Sequence, residues 1–445
     1  MTDFSTLTRD VSGSVLTPAD PGFAEELAGF NLAAIHAPEA VIGAVDAADV
    51  ASAVIFARDN GLTIVPLATG HGSYAPITSG IVVTTRRLDT VTIDTESRIA
   101  TVGAGVRWGT LIAAATDAGL MAIPGSSANV GVVGYLAGGG LGPLARSHGF
   151  SSDYVRGFTV VTGNGEIVDA TETNNPDLFW ALRGGKHGLG IVTELRLALV
   201  ELPEIFGGNL LFDADDIEPV LRAWVDYTAT APADVTTSLA IMRFPPLEQV
   251  PEIMRGKTML SLRYATPGVD GAALPETLAN AAQPIIGTIG ALPSAQIAVI
   301  HNDPTDPAPS WTTGGMLSSV DQDFATALLG LAGAAAQYPF VAVELRHVGA
   351  ATRTDVAGGS AVGGREADYT YGLIGILAFP GALEAVTGAA AGFRAVLAPW
   401  IAPTTTINFA GKPTPETVAA AWPAETVARL AKVRDQYDPA GTLAG

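Results

Sequence analysis

The chain has no cysteine in its 445 residues. That excludes disulfides, thiolate nucleophiles, iron–sulfur clusters and cysteine-ligated zinc. Basic residues are scarce: 24 Lys and Arg stand against 44 Asp and Glu, for a formal net charge of −20. A surface this acidic repels phosphate backbones and anionic lipid, so neither nucleic acid nor a membrane is an expected partner. Long apolar runs are missing too. Stretches such as Leu328–Ala336 are short and broken by glycine, whereas a spanning helix needs about 20 apolar residues. The opening MTDFSTLTRDVSG has no apolar core and no cleavage signal, which makes the cytoplasm the expected location. There is no internal repeat and no heptad pattern. Hydrophobic residues reach 48% and charged residues 15%, the balance of a well-buried globular protein long enough for two domains. This suits an enzyme with a small substrate. Oligomeric state is not readable.

Glycine, by contrast, is abundant, at 51 residues. It concentrates in three segments between Val65 and Val192: PLATGHGSYAP (Pro66–Pro76), PGSSANVGVVGYLAGGGLGPLARSHGFSSDYV (Pro124–Val155) and LFWALRGGKHGLGIVTELRL (Leu178–Leu197). Glycine is placed where a chain takes positive φ or comes close to a ligand. Three such clusters between apolar, strand-like runs point to backbone wrapped around a large anionic cofactor. The middle segment does not match the G-x-G-x-x-G dinucleotide fingerprint, because no strand followed by a distant acidic residue frames it. It also lacks the Gly-Lys-Ser/Thr of a phosphate-binding loop.

The first 200 or so residues read as alternating strands and helices. Strands are expected at Pro38–Val45, Thr63–Leu67, Gly80–Thr84, Thr90–Asp94, Ile99–Gly103 and Gly190–Leu199, with a hairpin from Phe158–Thr162 to Ile167–Ala170. Helices are expected at Ala47–Asn60, capped by Asp46, at Arg107–Ala118 and at Asn175–Arg183. Beyond Leu202–Pro203, strands (Gly208–Phe212, Thr237–Phe244, Thr258–Tyr264) alternate with helices (Ile217–Thr230, Leu274–Ala282). Two stretches, His301–Gly315 and Asp355–Tyr369, read as flexible and functional or mobile. The tail holds an expected strand, Thr406–Phe409, and a helix, Ala424–Gln436. The class is α+β.

His71 sits between glycines directly after a buried strand. Its imidazole could be a metal ligand, a base or a point of covalent attachment, or it could be structural. No second ligand lies at metal spacing from it, so no metal is expected. The amides from Thr69 to Ser73 could cradle a pyrophosphate.

The order of the three segments resembles the vanillyl-alcohol-oxidase and p-cresol-methylhydroxylase-type flavoproteins, and within them the berberine-bridge-enzyme-like branch. TINFAGK and RLAKVRDQYDP are similar to that branch's closing segment. The resemblance implies FAD held by a two-part domain of the p-cresol-methylhydroxylase type, residues 1–202 and 404–445. Residues 203–403 would form a substrate domain, an antiparallel sheet backed by helices. His71 matches the histidine that bonds the flavin's C8 methyl group. Ala68, Thr69, Gly70, Gly72 and Ser73 would join it around the pyrophosphate and ring edge. So would Ser126, Ser127, Val130, Gly131, Gly134, Tyr135, Gly138, Gly139, Gly140 and Gly142. Ile191 and Val192 would lie by the adenine side, and Asn408 and Phe409 near the ring. Many members add a second bond from a cysteine; NVGVVGY has none, so the flavin would be linked once. Further departures are Gly72 after the linking histidine and Thr406 in place of a tyrosine.

Oxidising an alcohol or amine with a flavin needs hydride delivered to N5 and a base for the O–H or N–H proton. VAVELRHVG reads as a strand with Val343, Leu345 and His347 on one face and Glu344 and Arg346 on the other. His347 could be the base, or Glu344 with Arg346 as partner; Glu344 and Arg346 could equally form a cross-strand ion pair. Tyr369 and Tyr371 could line the pocket or pack in the core. Tyr74, His187 and Arg365 are the other pocket candidates, although His187 and Arg365 also read as surface loop residues. The expected activity is an FAD-dependent oxidase of a small organic alcohol, amine or ring C–H, with O2 as acceptor. A dehydrogenase, a carbohydrate oxidase and a flavin-binding protein without turnover are the alternatives.

Overall fold

A computed structural model describes residues 2–443. Its architecture follows from three sheets. The first is four-stranded, ordered Ser14–Leu16, Ala40–Gly43, Ile81–Thr84, Ile64–Leu67. Its last three strands are parallel, and the two inner ones, Ala40–Gly43 and Ile81–Thr84, are buried at every position, as strands covered on both faces must be. The helix Ala47–Asp59 packs on it through Val50, Ala53, Val54 and Ala57. Asp46 caps that helix by accepting the Asp49 N–H at 2.9 Å. Asp49 itself is buried and accepts from the N–H groups of Ser12, Gly13 and Val45, which ties the N-terminal segment to the helix.

The second sheet is five-stranded and antiparallel, ordered Val91–Asp94, Ile99–Gly103, Ile191–Ala198, Val155–Val161, Ile167–Ala170. Trp108 and Leu111 from the helix Trp108–Asp117 and Phe179 from Pro176–Leu182 fill the core with Phe158 and Leu195. The tail returns to these two sheets. Leu430, Val433 and Tyr437 of the helix Ala424–Tyr437 enter the same core. The Asp438 carboxylate accepts from Thr442 and Leu443 N–H, and the Ile64 N–H donates to Thr442.

The third sheet has seven antiparallel strands, ordered Ile286–Pro293, Glu204–Phe212, Thr258–Thr266, Thr236–Arg243, Phe340–His347, Tyr369–Ile376, Ser310–Leu317. Three helices, Ile217–Thr228, Gln322–Ala332 and Ala382–Leu397, cover one face with Trp224, Phe324, Val386 and Phe393. Trp224 meets Tyr369 edge to face at 5.8 Å. The α+β class and the helix-backed antiparallel sheet are as expected.

Three local expectations change. Residues 406–409 are not a strand: Ile407–Phe409 form a 3-10 turn after an extended Thr406. The helix expected over Leu274–Ala282 shrinks to Glu276–Ala279, since Pro275 can start a helix but cannot continue one. Part of the proline-rich stretch is ordered: Ser310–Leu317 is an edge strand paired with Tyr369–Ile376, with Trp311 stacked on Phe340 at 6.2 Å. Among the described residues, no helix is long and apolar enough to cross a membrane.

Phe158 is fully buried, 6.0 Å from the Phe179 ring. Phe158→Ala is expected to cost about 3–5 kcal/mol, seen as a lower chemical-unfolding midpoint at unchanged slope.

Candidate active site

The strand Ile64–Leu67 delivers its chain into the loop Ala68–Ser73. Gly70 takes φ +72°, and a Cβ there would stand 2.8 Å from the Gly29 Cα, so two backbone segments touch where no side chain fits. The Phe30 N–H donates to the Thr69 carbonyl at 2.8 Å, and the Phe30 ring lies flat on the His71 imidazole, centroids 3.9 Å apart. The Thr69 hydroxyl is 2.8 Å from His71 Nδ1. The opposite nitrogen, Nε2, is enclosed with no partner. Burial, with help from the Arg107 guanidinium, lowers the imidazole pKa to about 4. Gly29, Ala68, Thr69, Gly105, Arg107 and Pro307 line an adjoining cleft of about 410 Å³. Asn31 fastens the loop from outside, donating to the Ser73 carbonyl at 2.9 Å.

The second glycine segment turns through the short helix Val132–Leu136 and then doubles back. Gly139 and Gly140 take positive φ, and their carbonyls accept from the Ser152 and Ser151 N–H groups. Four polar side-chain atoms, Trp108 Nε1, Tyr135 Oη, Ser151 Oγ and Ser152 Oγ, are enclosed without partners. Asn408 donates to the Tyr135 carbonyl at 2.8 Å. Lys186, at φ +67°, donates to Asn408 Oδ1 at 2.6 Å and to the Gly134 carbonyl at 3.1 Å; burial lowers its pKa to about 8. Asn408 thus clasps the glycine segment, and Gly138 is glycine because a Cβ would run into the Asn408 amide. Gly131 lies against Ala68 and Thr69, and Gly142 against the Pro124 carbonyl. Gly72 and Gly134 face open space.

The uncovered face of the seven-stranded sheet lies against this segment. Alternation puts Glu344 and Arg346 there, together with Arg263 two strands away; the small residues Ser238, Ala240 and Gly372 stand beside them in register. Glu344 is gripped by Arg263 through one oxygen and by the Arg346 Nε through the other at 2.8 Å. These guanidiniums hold its carboxyl well below the usual range against the opposing pull of burial. The His301 Nδ1 lies 3.6 Å from Glu344 Oε1. Burial next to Arg263 and Arg346 lowers that imidazole to about 4, so it is neutral. Asp303 accepts from the Ser126 hydroxyl at 2.6 Å, joining sheet side to glycine side. Arg346 also stands over the Phe409 ring at 5.2 Å. Tyr74 is beside Thr312, with its phenol pKa raised by burial. His301, Arg263 and Lys186 were not singled out from the sequence. His301 and Arg263 follow from no local pattern; the glycine-rich run Gly184–Gly190 around Lys186 was the one available signal.

The catalytic candidates do not converge. Glu344 lies on the uncovered face. His347, Tyr369 and Tyr371 lie on the helix-covered face, with Tyr369 and Tyr371 in the core beneath Trp224 and Phe324. His347 stacks on Tyr369 at 4.9 Å and its Nε2 is 2.9 Å from Arg146 Nη1. With Arg146 and Asp368 it borders a separate cavity of about 420 Å³. The physical reason is strand alternation: a residue one position from Glu344's parity faces the other way. Arg365 is not free for a substrate. It is buried, paired with Asp153 at 2.6 Å and Asp355 at 3.0 Å, and sits over Phe150. His187 is exposed, and its carbonyl accepts from Arg434. Ile191 and Val192 are buried core residues. Ser127 and Val130 are half-buried.

The residues present fit a flavin dinucleotide. At Gly70 the chain passes Gly29 where no side chain fits, and Gly29, Ala68, Thr69 and Gly105 line an open cleft beside the half-buried His71. Among the described residues no cluster of His, Asp and Glu fits a metal ion.

Residues 38–171 match the family model of an FAD binding domain. The chain is 36% identical over 195 residues to (R)-6-hydroxynicotine oxidase of Paenarthrobacter nicotinovorans, covering 43% of each protein. It spans about two-fifths to one-half of the curated relatives it matches. Solved structures extend the likeness to the whole fold. The 6-hydroxy-D-nicotine oxidase of Arthrobacter nicotinovorans superposes with a TM-score of 0.85 at 24% identity, over 99% of this chain and 98% of that one. The glucooligosaccharide oxidase of Acremonium strictum, described with a 6-S-cysteinyl, 8α-N1-histidyl FAD, gives 0.82 at 20% identity, over 100% and 98%.

Three buried imidazoles stand below their ordinary value: His71 and His301 at about 4 and His347 at about 3, burial being the first cause in each. The unfolded chain takes up these protons near pH 6.5 while the folded chain refuses them, so stability is full above about pH 6.5 and falls as pH drops toward 4. His347→Gln, which keeps an acceptor for Arg146 but cannot protonate, is expected to flatten this slope in unfolding titrations from pH 7 to 4.5. An unchanged slope would refute it.

Proposed function

We propose, from the premise that this chain belongs to the FAD-linked vanillyl-alcohol-oxidase/p-cresol-methylhydroxylase superfamily, that it oxidises a small organic alcohol, amine or ring C–H by hydride transfer, with O2 as electron acceptor. The observation that carries this is the facing pair of surfaces: a glycine-built cradle holding His71, and a sheet face presenting Glu344 and Arg346, with His301 beside Glu344 from the turn after Ser294–Ile300. Residues 1–202 and 404–445 form the cofactor domain in this reading, and 203–403 the substrate domain.

Bound FAD supplies the hydride acceptor and the redox chemistry. The cradle residues Ala68–Ser73 and Gly131–Gly142 hold it, His71 anchors it by one covalent bond, and Asn408 and Lys186 keep the glycine segment in place. On the other side the chain handles the proton. His301 is neutral and accepts it from the substrate O–H or N–H. Glu344 then stabilises the imidazolium from 3.6 Å, as an ionised carboxylate does for a general-base histidine. Glu344 is itself a poor base, because Arg263 and Arg346 favour its charged form; its part is to orient and stabilise. Phe409 and Tyr74 wall the space between the surfaces and exclude water. Carbohydrate oxidation is a second reading, favoured by the fold shared with glucooligosaccharide oxidase.

After denaturation in acid, flavin absorbance is expected to stay with the native polypeptide and to be lost from His71→Ala; release from both would reject the covalent bond. Substrate turnover in air is expected to yield hydrogen peroxide. Bleaching with slow recovery would instead mark a dehydrogenase. Glu344→Gln is expected to lower kcat/KM about 10²-fold with flavin content intact. Native kinetics in that variant would remove Glu344 from the mechanism.

A further inference from the structure

We infer that the substrate is a compact, largely apolar ring carrying a single hydroxyl or amine, and that it lies across the uncovered sheet face over Gly372. This rests on the oxidase reading above and adds to it the substrate's class and the residue that admits it. Gly372 is in the middle of the strand Tyr369–Ile376, with Glu344 opposite on one side and Gly314 on the other. Glycine weakens a strand interior, and its usual reasons there are a bulge, a bend or the close approach of a ligand or another backbone. The pairing register runs unbroken through Gly372 on both sides, and its φ is not left-handed. A Cβ added to Gly372 would meet only the Glu344 Cβ, at 4.0 Å, an ordinary contact. Its neighbour Gly314 differs, because a Cβ there would run into the Tyr371 carbonyl. The fold therefore requires a glycine at 314 but not at 372. Gly372 is also only half-buried, so the space above it is open rather than filled by the charged cluster.

The side chains around that space are graded. Two residues further along their strands, Met242, Ala342, Ile374 and Thr312 stand side by side in register. Alternation turns them to the same face as Glu344, and Met242, Ile374 and Thr312 are half-buried. This mainly apolar row is roughly 7 Å from the Glu344 row, two residues along a strand, a distance that one ring spans. Tyr74, three residues past His71, is beside Thr312, which brings the row into the same space as the cradle. A ring resting on Gly372 has its apolar body on Ala342, Ile374 and Met242, and its hydroxyl or amine at Glu344 and His301. A sugar presents hydroxyls on every side. Met242, Ala342, Gly372 and Ile374 have no side-chain hydrogen bond to give them, and a hydroxyl covered without a partner costs free energy.

The test uses the FAD-loaded protein, native and with Gly372→Ala or Gly372→Val, and benzyl alcohol, benzylamine and D-glucose as probes. Binding is read from the change in flavin absorbance on titration, and stability from the urea midpoint. The native protein is expected to respond to a ring probe at lower concentration than to glucose. Gly372→Val is expected to keep its FAD and a midpoint no lower than native, because a β-branched residue suits a strand, yet to bind the ring probe about tenfold or more weakly. Gly372→Ala is expected to fall between the two in affinity. A glycine needed only for packing would behave in the opposite way, losing stability with either substitution. Native affinity in Gly372→Val, a lowered midpoint in Gly372→Ala, or a tighter response to glucose than to both ring probes would overturn the assignment while leaving the oxidase reading intact. A native protein that takes up no FAD would instead remove both.

Discussion

The Glu344 carboxylate, buried between two guanidiniums, is the constraint on which the site's geometry depends. Taking an ion out of water costs several kcal/mol, and it persists only where partners and hydrogen bonds compensate. Here both carboxylate oxygens are engaged, one by Arg263 and one by Arg346. The arrangement needs room for three long charged side chains on one sheet face, and the small neighbours Ser238, Ala240 and Gly372 provide it. Burial beside the two guanidiniums keeps the nearby His301 neutral. It thereby sets up a proton acceptor beside an anion that can stabilise the protonated form.

The opposite wall is built on a different principle. Where the sheet uses charge, the cradle uses the absence of side chains. Gly70 against Gly29 and Gly142 against Pro124 are backbone contacts that a Cβ would crowd. Polar side-chain atoms in this segment are enclosed without protein partners, among them Tyr135 Oη and His71 Nε2. Enclosed groups of this kind are costly unless something completes them. Their concentration here, and the clasp of Asn408 and Lys186 over the same segment, give the cradle its binding character.

Much of this was legible before any coordinates. Ala47–Asp59 with its Asp46 cap, the strand Ile99–Gly103 and the hairpin ending at Ile167–Ala170 all follow from local periodicity and capping chemistry. Alternation along Val341–Gly349 separated Glu344 from His347 correctly, since period 2 is a local property. Which of those two faces would be covered by helices was not legible, because that depends on where Ile217–Thr228 and Gln322–Ala332 pack. The turn at Ile407–Phe409 was misread for the same kind of reason: a strand exists only if a neighbour supplies its hydrogen bonds. Arg365 read as a free loop cation, and only the return of Asp153 and Asp355 to its side made it an internal ion pair.

The sequence by itself determined the glycine placement, the absence of any thiol, the position of His71 and the alternation of the central strand. All are set by residue identity and short-range geometry. The tertiary structure alone decided that His301, far from Glu344 and Arg263 along the chain, would meet them at one point. It also decided that His347 would face away, onto the helix-covered side beside Arg146. Those outcomes depend on distant segments being brought within hydrogen-bond range by the packing of sheet against cradle, and no local pattern in a chain encodes which remote partner will arrive.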